Sequence, residues 1–136
     1  MSNFDPAEIA ELPVAPLVNQ VLLNPSRRGP EHDLLPAHRD LRPHSTTMAY
    51  SPIEQGRLLE DPTLAEVARR HEVSTAQILL AWAMRSGDVI AIPKASTPDH
   101  VKANAEAVDI ALTSDDLADI DRAFPAPTSP MPLEVI

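Results

Sequence analysis

Asp88-Val-Ile-Ala-Ile-Pro-Lys-Ala-Ser-Thr-Pro-Asp-His-Val-Lys-Ala-Asn104 decides how the rest of the chain is read. Val89–Ile92 is a short apolar run, expected to be extended and buried, and Pro93 stops it. Lys94, Ser96 and Thr97 follow at once. Thr97-Pro98 then opens a helix, with a hydroxyl N-cap and proline at the first helical position. A cation, hydroxyls and free backbone N–H groups thus converge on one helix N-terminus, which is physically an anion site and suits a phosphate. Taken alone, the same residues make an ordinary capped helix beside a solvated lysine.

Two other stretches weigh against the ordinary alternative. Ile92-Pro-Lys-Ala-Ser96, with Met48-Ala-Tyr-Ser-Pro52 upstream and Met1-Ser-Asn-Phe4 at the start, resembles the aldo-keto reductase family in motif and in order. The resemblance implies an α/β fold, the C-terminal part of a (β/α)8 barrel from about strand 6 or 7 to strand 8. Residues 1–124 would belong to that domain and residues 125–136 to an extended tail. A whole barrel needs roughly 250 residues, so 136 residues supply an incomplete, helix-rich one. Relatives read Gly-Val-Ser-Asn-Phe where this chain reads Met-Ser-Asn-Phe. Met1 is therefore expected inside a barrel strand, as an internal GTG start in a longer or frameshifted frame would place it.

Composition narrows the partners. A net charge of −9 opposes nucleic acid and anionic membrane surfaces. No cysteine is present, so there is neither a disulfide nor a thiolate metal site. Without a long apolar run or a leader-like segment, a cytoplasmic location is expected.

The chain in order predicts a short helix from Asp5-Pro6 to about Leu12, a strand over Leu17–Leu23, and a loop over Asn24–Pro30. A helix near Glu31–Leu41 is interrupted by Pro36 or loses its first turn to it. Thr46–Tyr50 is strand-like, but the polar Pro43–Thr47 lead departs from the apolar one usual in the family. Helices follow over Pro62–His71, from Ser74 to about Arg85 with a Ser74–Gln77 capping box, over Thr97–Ala107, and after Thr113. Gly87 ends the second of these.

By resemblance, Lys94, Ser96 and Thr97 hold the 2′-phosphate of NADPH, and Asn104 contacts adenine. His100 stands where many relatives carry arginine, which implies a weaker preference for NADPH over NADH. Ser51, Ile53, Gln55 and Gly56 match the loop along the pyrophosphate. Tyr50 matches the ring that stacks under the nicotinamide, and Ser2, Asn3 and Gln20 match the groups holding its carboxamide. The family's catalytic Asp, Tyr, Lys and His lie on earlier strands and map to nothing here, so no catalytic residue is assigned. Arg27, Arg28, Glu31, His32 and Asp33 read as a solvated charged face, and no spacing reads as a metal site.

Three functions are in view. The first is the NADPH-binding part of an oxidoreductase, inactive alone in carbonyl reduction. The second is a non-catalytic module binding a nucleotide or a partner, through self-association or a separate N-terminal half. The third is DNA binding by Leu64–Ile78, which has helix-turn-helix spacing. An apolar second helix and the acidic charge oppose it.

Overall fold

The computed structural model describes residues 1–136. Three parallel strands form one sheet in the order β1 (Val18–Leu22), β2 (Thr46–Tyr50), β3 (Val89–Ala91). Parallel neighbours need long crossovers. Here α2 (Leu34–Asp40) carries the chain from β1 to β2, and α3 (Pro62–Arg70) with α4 (Thr75–Met84) carries it from β2 to β3. α1 (Pro6–Ala10) precedes the sheet, while α5 (Pro98–Glu106) and α6 (Ser114–Ala123) follow it. Gln20 stands opposite Met48, and Met48 opposite Ile90. The first residues extend the sheet: Asn3 N–H donates to the Gln20 carbonyl at 2.8 Å, and Gln20 N–H to that of Met1 at 3.0 Å.

Strand alternation divides the molecule into two faces. Val21, Leu23, Ala49 and Val89 turn toward the helices and are buried. The main core gathers Leu23, Ala49 and Val89 with Leu64, Val67, Ile78, Leu79, Trp82 and Ile120. The other face is open. Val18, Gln20, Thr46 and Met48 are half-buried there, and Ile90 is 48% exposed. Hence only part of the expected burial of Val89–Ile92 is seen. Val89 is buried, but Ile90 and Ile92 (36% exposed) have no layer over them. An apolar run of four is what a strand covered on both sides looks like, and this sheet is covered on one.

Local chemistry explains the element ends. Asp5 and Thr113 complete capping boxes with Glu8 and Asp116, as Ser74 does with Gln77. Pro36 sits in the first turn of α2, where its missing N–H is harmless. The break falls before it, at His32-Asp33, after a 3-10 turn over Gly29–Glu31.

Of the polar lead into β2, Pro43 and His44 are exposed, the Ser45 hydroxyl is buried without a partner, and Thr47 joins a buried network. Asn19 Nδ2 donates to the Phe4 carbonyl at 2.7 Å, and Asn19 Oδ1 accepts from Phe4 N–H at 3.4 Å. That pairing fixes the amide's orientation, so Nδ2 also donates to His38 Nε2 at 3.3 Å. His38 Nδ1–H then donates to Thr47 Oγ1 at 2.7 Å. Thr47 is thus a strand residue whose hydroxyl is satisfied inside the core.

The charged cluster is corrected in part. Arg28 is buried, not solvated. Its guanidinium reaches Glu31 and Asp121, each at 2.7 Å, and the Phe124 carbonyl at 2.5 Å. It also lies 5.2 Å from the Trp82 ring centroid, with Arg85 at 3.8 Å. A planar cation with five donors can satisfy several acceptors from a half-dry position. This one ties the loop after β1 to the end of α6.

Candidate functional site

In a parallel sheet every strand ends on the same side, and ligands gather at that edge. Here the edge is formed by Leu23-Asn24 after β1, Ser51 onward after β2, and Ile92-Pro93-Lys94 after β3. Most of the residues singled out from the sequence fall into two groups at this edge, joined by one loop, whereas Ser96 and Thr97 are exposed before α5 and outside the cleft wall.

The first group lies at β1 and β2. Ser2 Oγ donates to the Gln20 carbonyl at 3.0 Å, and the Tyr50 hydroxyl donates to Asn3 Oδ1 at 3.3 Å. Asn3 is held in a left-handed conformation, φ 57°. Gln20 is on the open face of the sheet. The Ser2 side chain therefore meets the backbone of Gln20, and the Asn3 side chain meets the half-buried Tyr50 phenol.

The second group lines a cleft of about 560 Å³ whose walls include Ile53, Gln77, Lys94, His100, Ala103 and Asn104. Two helix N-termini open into it: Ser74 and Thr75 at the start of α4, and Asp99 and His100 in the first turn of α5. Lys94 is exposed and forms no ion pair, so its ammonium is available to an anion. Thr97 Oγ1 accepts from His100 N–H at 3.3 Å, so this hydroxyl caps α5 as well as standing at its entrance. Asp99 shares the cleft and partly offsets the positive potential that Lys94 and the helix ends create.

Between the two groups runs the loop Ser51–Gly56. Ser51, Glu54 and Gln55 all have positive φ, at 46°, 47° and 54°. Sequence reasoning passed over Glu54, which is buried. It also passed over Asn24, whose Nδ2 donates to Glu54 Oε2 at 2.7 Å and to the Ser51 carbonyl at 3.0 Å. Asn24-Pro25 reads in sequence only as the end of a strand.

The rival assignments find little support at this edge. Seven consecutive residues of α4, Gln77–Ala83, are buried, so beyond its first turn that helix has no free face to lay in a DNA groove. No three His, Asp or Glu side chains are grouped to hold a metal ion. No helix is long and apolar enough to cross a membrane.

Comparison with known proteins agrees with the fold. The model of the aldo/keto reductase family matches residues 1–124. The methylglyoxal reductase YeaE of Escherichia coli is 40% identical, with all of this chain aligned to 51% of that protein. An aldo/keto reductase from Klebsiella pneumoniae, solved in complex with NADP and acetate, superposes with a TM-score of 0.91 at 36% identity. That match covers 99% of this chain and 50% of the other. A second Klebsiella pneumoniae structure, in complex with NADPH, gives 0.88 at 34% identity, with the same coverage. The chain spans about half the length of these relatives, and it belongs to the aldo/keto reductase family.

Proposed function

We propose that this chain is the cofactor-binding part of an NADPH-dependent carbonyl oxidoreductase. Residues 1–124 would form the C-terminal portion of its barrel, about strands 6/7–8, with residues 125–136 as a tail. The observation that carries the reading is the continuous polar edge from the Asn3–Tyr50 contact, through the 51–56 loop, to the cleft beside Lys94.

The residues present suit a dinucleotide. Lys94, Ser96 and Thr97 at the entrance of α5 meet the 2′-phosphate, where charge-assisted contacts are strongest. His100, in the first turn of α5, stands beside the 2′-phosphate, and Asn104, one turn further along, contacts the adenine. Ser51, Ile53, Gln55 and Gly56 lie along the pyrophosphate. Tyr50 supplies a platform for the nicotinamide, and Ser2, Asn3 and Gln20 fix its amide. Bound NADPH supplies hydride. The protein's own part is to hold the ring in place and to deliver a proton to the reduced oxygen.

For that second task the chain has no partner set. The Tyr50 hydroxyl is engaged by Asn3, and no lysine, histidine or carboxylate hydrogen-bonds it to make an acid–base unit. The chain by itself therefore binds cofactor without reducing carbonyls, as a cytoplasmic protein whose open sheet face pairs with a second copy or a separate N-terminal half. A partner-binding module without catalysis is the second reading, favoured by exposed Ile90 on that face.

Fluorescence titration of the purified chain with NADPH tests the first reading, and aldehyde-dependent loss of NADPH absorbance tests the claim of inactivity. Saturable binding without turnover is expected. No binding at millimolar NADPH would overturn the cofactor assignment, and turnover would overturn the assignment of no catalytic residue.

A further inference from the structure

Glu54 combines two unfavourable features. Its backbone is left-handed, φ 47°, a region that a Cβ disfavours. Its side chain is 5% exposed, and burial of a charge is unfavourable unless it is paired. Strain of this kind persists only where surrounding contacts over-determine it.

Those contacts are specific. Asn24 Nδ2 donates to Glu54 Oε2 at 2.7 Å, and Arg27 Nε donates to Oε1 at 3.2 Å. Arg57 Nη1 lies 3.6 Å from the same Oε1. Asn24 is itself fixed, because its Oδ1 accepts from Ser26 N–H at 3.0 Å and Ser26 Oγ at 2.8 Å. Its Nδ2 also donates to the Ser51 carbonyl at 3.0 Å. One rigid turn after β1 thus grips the 51–56 loop at both its first residue and its middle.

Arg27 carries the connection further. Its Nη1 donates to Glu134 Oε1 at 2.5 Å, and the Tyr50 hydroxyl lies 3.5 Å from the Glu134 carbonyl. The Arg27 guanidinium thus links the end of the chain to the loop, with Glu54 held on its other side, while Leu133 packs separately against Ile9, Val21 and Leu34.

We propose that Glu54 is the positioning residue of the 51–56 loop, shaping it for a dinucleotide and, through Arg27, tying the C-terminal segment to it. The ligand half of this inference rests on the cofactor reading above, whereas the hold on loop and tail does not.

Peptide-resolved hydrogen exchange and titration with NADPH and NADH, on the 136-residue chain, test both halves. Glu54→Ala is expected to speed exchange over residues 51–57 and 131–136 and to leave α4 unchanged. It should weaken both dinucleotides by about tenfold, with their ratio preserved, because the loop does not touch the 2′-phosphate. Glu54→Gln keeps an acceptor for Asn24 and should recover most of both effects. Glu54→Gly removes the backbone strain but not the loss of the tether, so its tail should exchange as fast as that of Glu54→Ala. Unchanged exchange over 51–57, a uniform rise that includes α4, or a loosened loop with unaltered affinity would each overturn the proposal. If the unsubstituted chain binds neither dinucleotide, the cofactor reading and the ligand half fall together. The exchange data then still decide whether Glu54 holds loop and tail.

Discussion

His71 Nε2 donates to Asp116 Oδ2 at 2.7 Å, and this contact fastens the end of α3 to the first turn of α6. Asp116 is almost fully buried. It also accepts from Thr113 N–H at 2.9 Å and Thr113 Oγ1 at 2.7 Å, while Arg70 stands 3.3 Å away. Burial alone would push its carboxyl up. The hydrogen bonds from His71 and Thr113 outweigh that and hold it at about 2, from an ordinary 3.8.

The sign of the pH effect follows. Between about pH 4 and pH 2 the unfolded chain takes up a proton at this position before the folded one does. Stability from Asp116 is complete above that window and is lost on descending through it. Asp116→Asn should cost roughly 1–2 kcal/mol at pH 7 and flatten the acid limb of a urea-midpoint profile between pH 5 and pH 2.5. An unchanged profile would show that the ionised form is not what secures α6.

His38 gives a second acid limb nearer neutrality. Burial lowers its pKa from 6.5, against a smaller opposing pull from Asp88. The Asn19 amide pointing at Nε2 is a donor, so only the neutral ring fits the network. Below about pH 6.5 the unfolded chain protonates first, and stability should fall until the folded pKa is passed. His38→Gln should lower stability at pH 7.5 by about 1–3 kcal/mol, since it leaves buried partners poorly satisfied. It should also remove the decline that sets in below about pH 6.5. A decline that survives the substitution would assign it to another group.

These two networks mark the limit of what the chain discloses as a string. Helix starts are legible because caps are local: Thr97 and Ser74 announce themselves within three residues. The strand Thr46–Tyr50 is legible from its β-branched threonines and its aromatic end. Partners remote in sequence are not. Arg28 meets Asp121 across 93 residues, and Arg27 meets Glu134 across 107. Nothing in Arg27-Arg28 separates a buried clamp from a solvated pair. Residue type and motif single out Tyr50, Lys94 and Asn104 in the sequence, and the fold brings Lys94 and Asn104 to one cleft. They do not single out Glu54, because its role depends on a left-handed turn and an asparagine from another loop.

Lys94 should set cofactor preference. It is exposed, unpaired and at the cleft, so its contribution is to charge rather than to the fold. Lys94→Ala is expected to weaken NADPH binding by roughly 1.5–3 kcal/mol, the value of one charge-assisted contact, and to leave NADH nearly unaffected. His100→Arg should shift the balance toward NADPH by adding a permanent cation with a fork of donors. Fluorescence titration with both dinucleotides reads the ratio. Equal losses for both after Lys94→Ala would remove this lysine from the phosphate.

The open sheet face should drive association. Val18, Gln20, Thr46 and Met48 line it half-buried, and Ile90 stands 48% exposed beside them. In a closed barrel such side chains pack in layers against other strands. β3 is an edge strand with one neighbour, and its free edge offers unpaired backbone groups to another chain. Covering Ile90 alone contributes on the order of 1 kcal/mol at 25 cal/mol per Å², so several contacts must act together. Sedimentation velocity on the 136-residue chain should show concentration-dependent self-association. Ile90→Asp places a charge on the edge strand of the face and should shift the population to monomer without altering α3–α4 packing, which is on the other side of the sheet. A compact monomer with a cooperative melt at every concentration would show that the face stays open in solution.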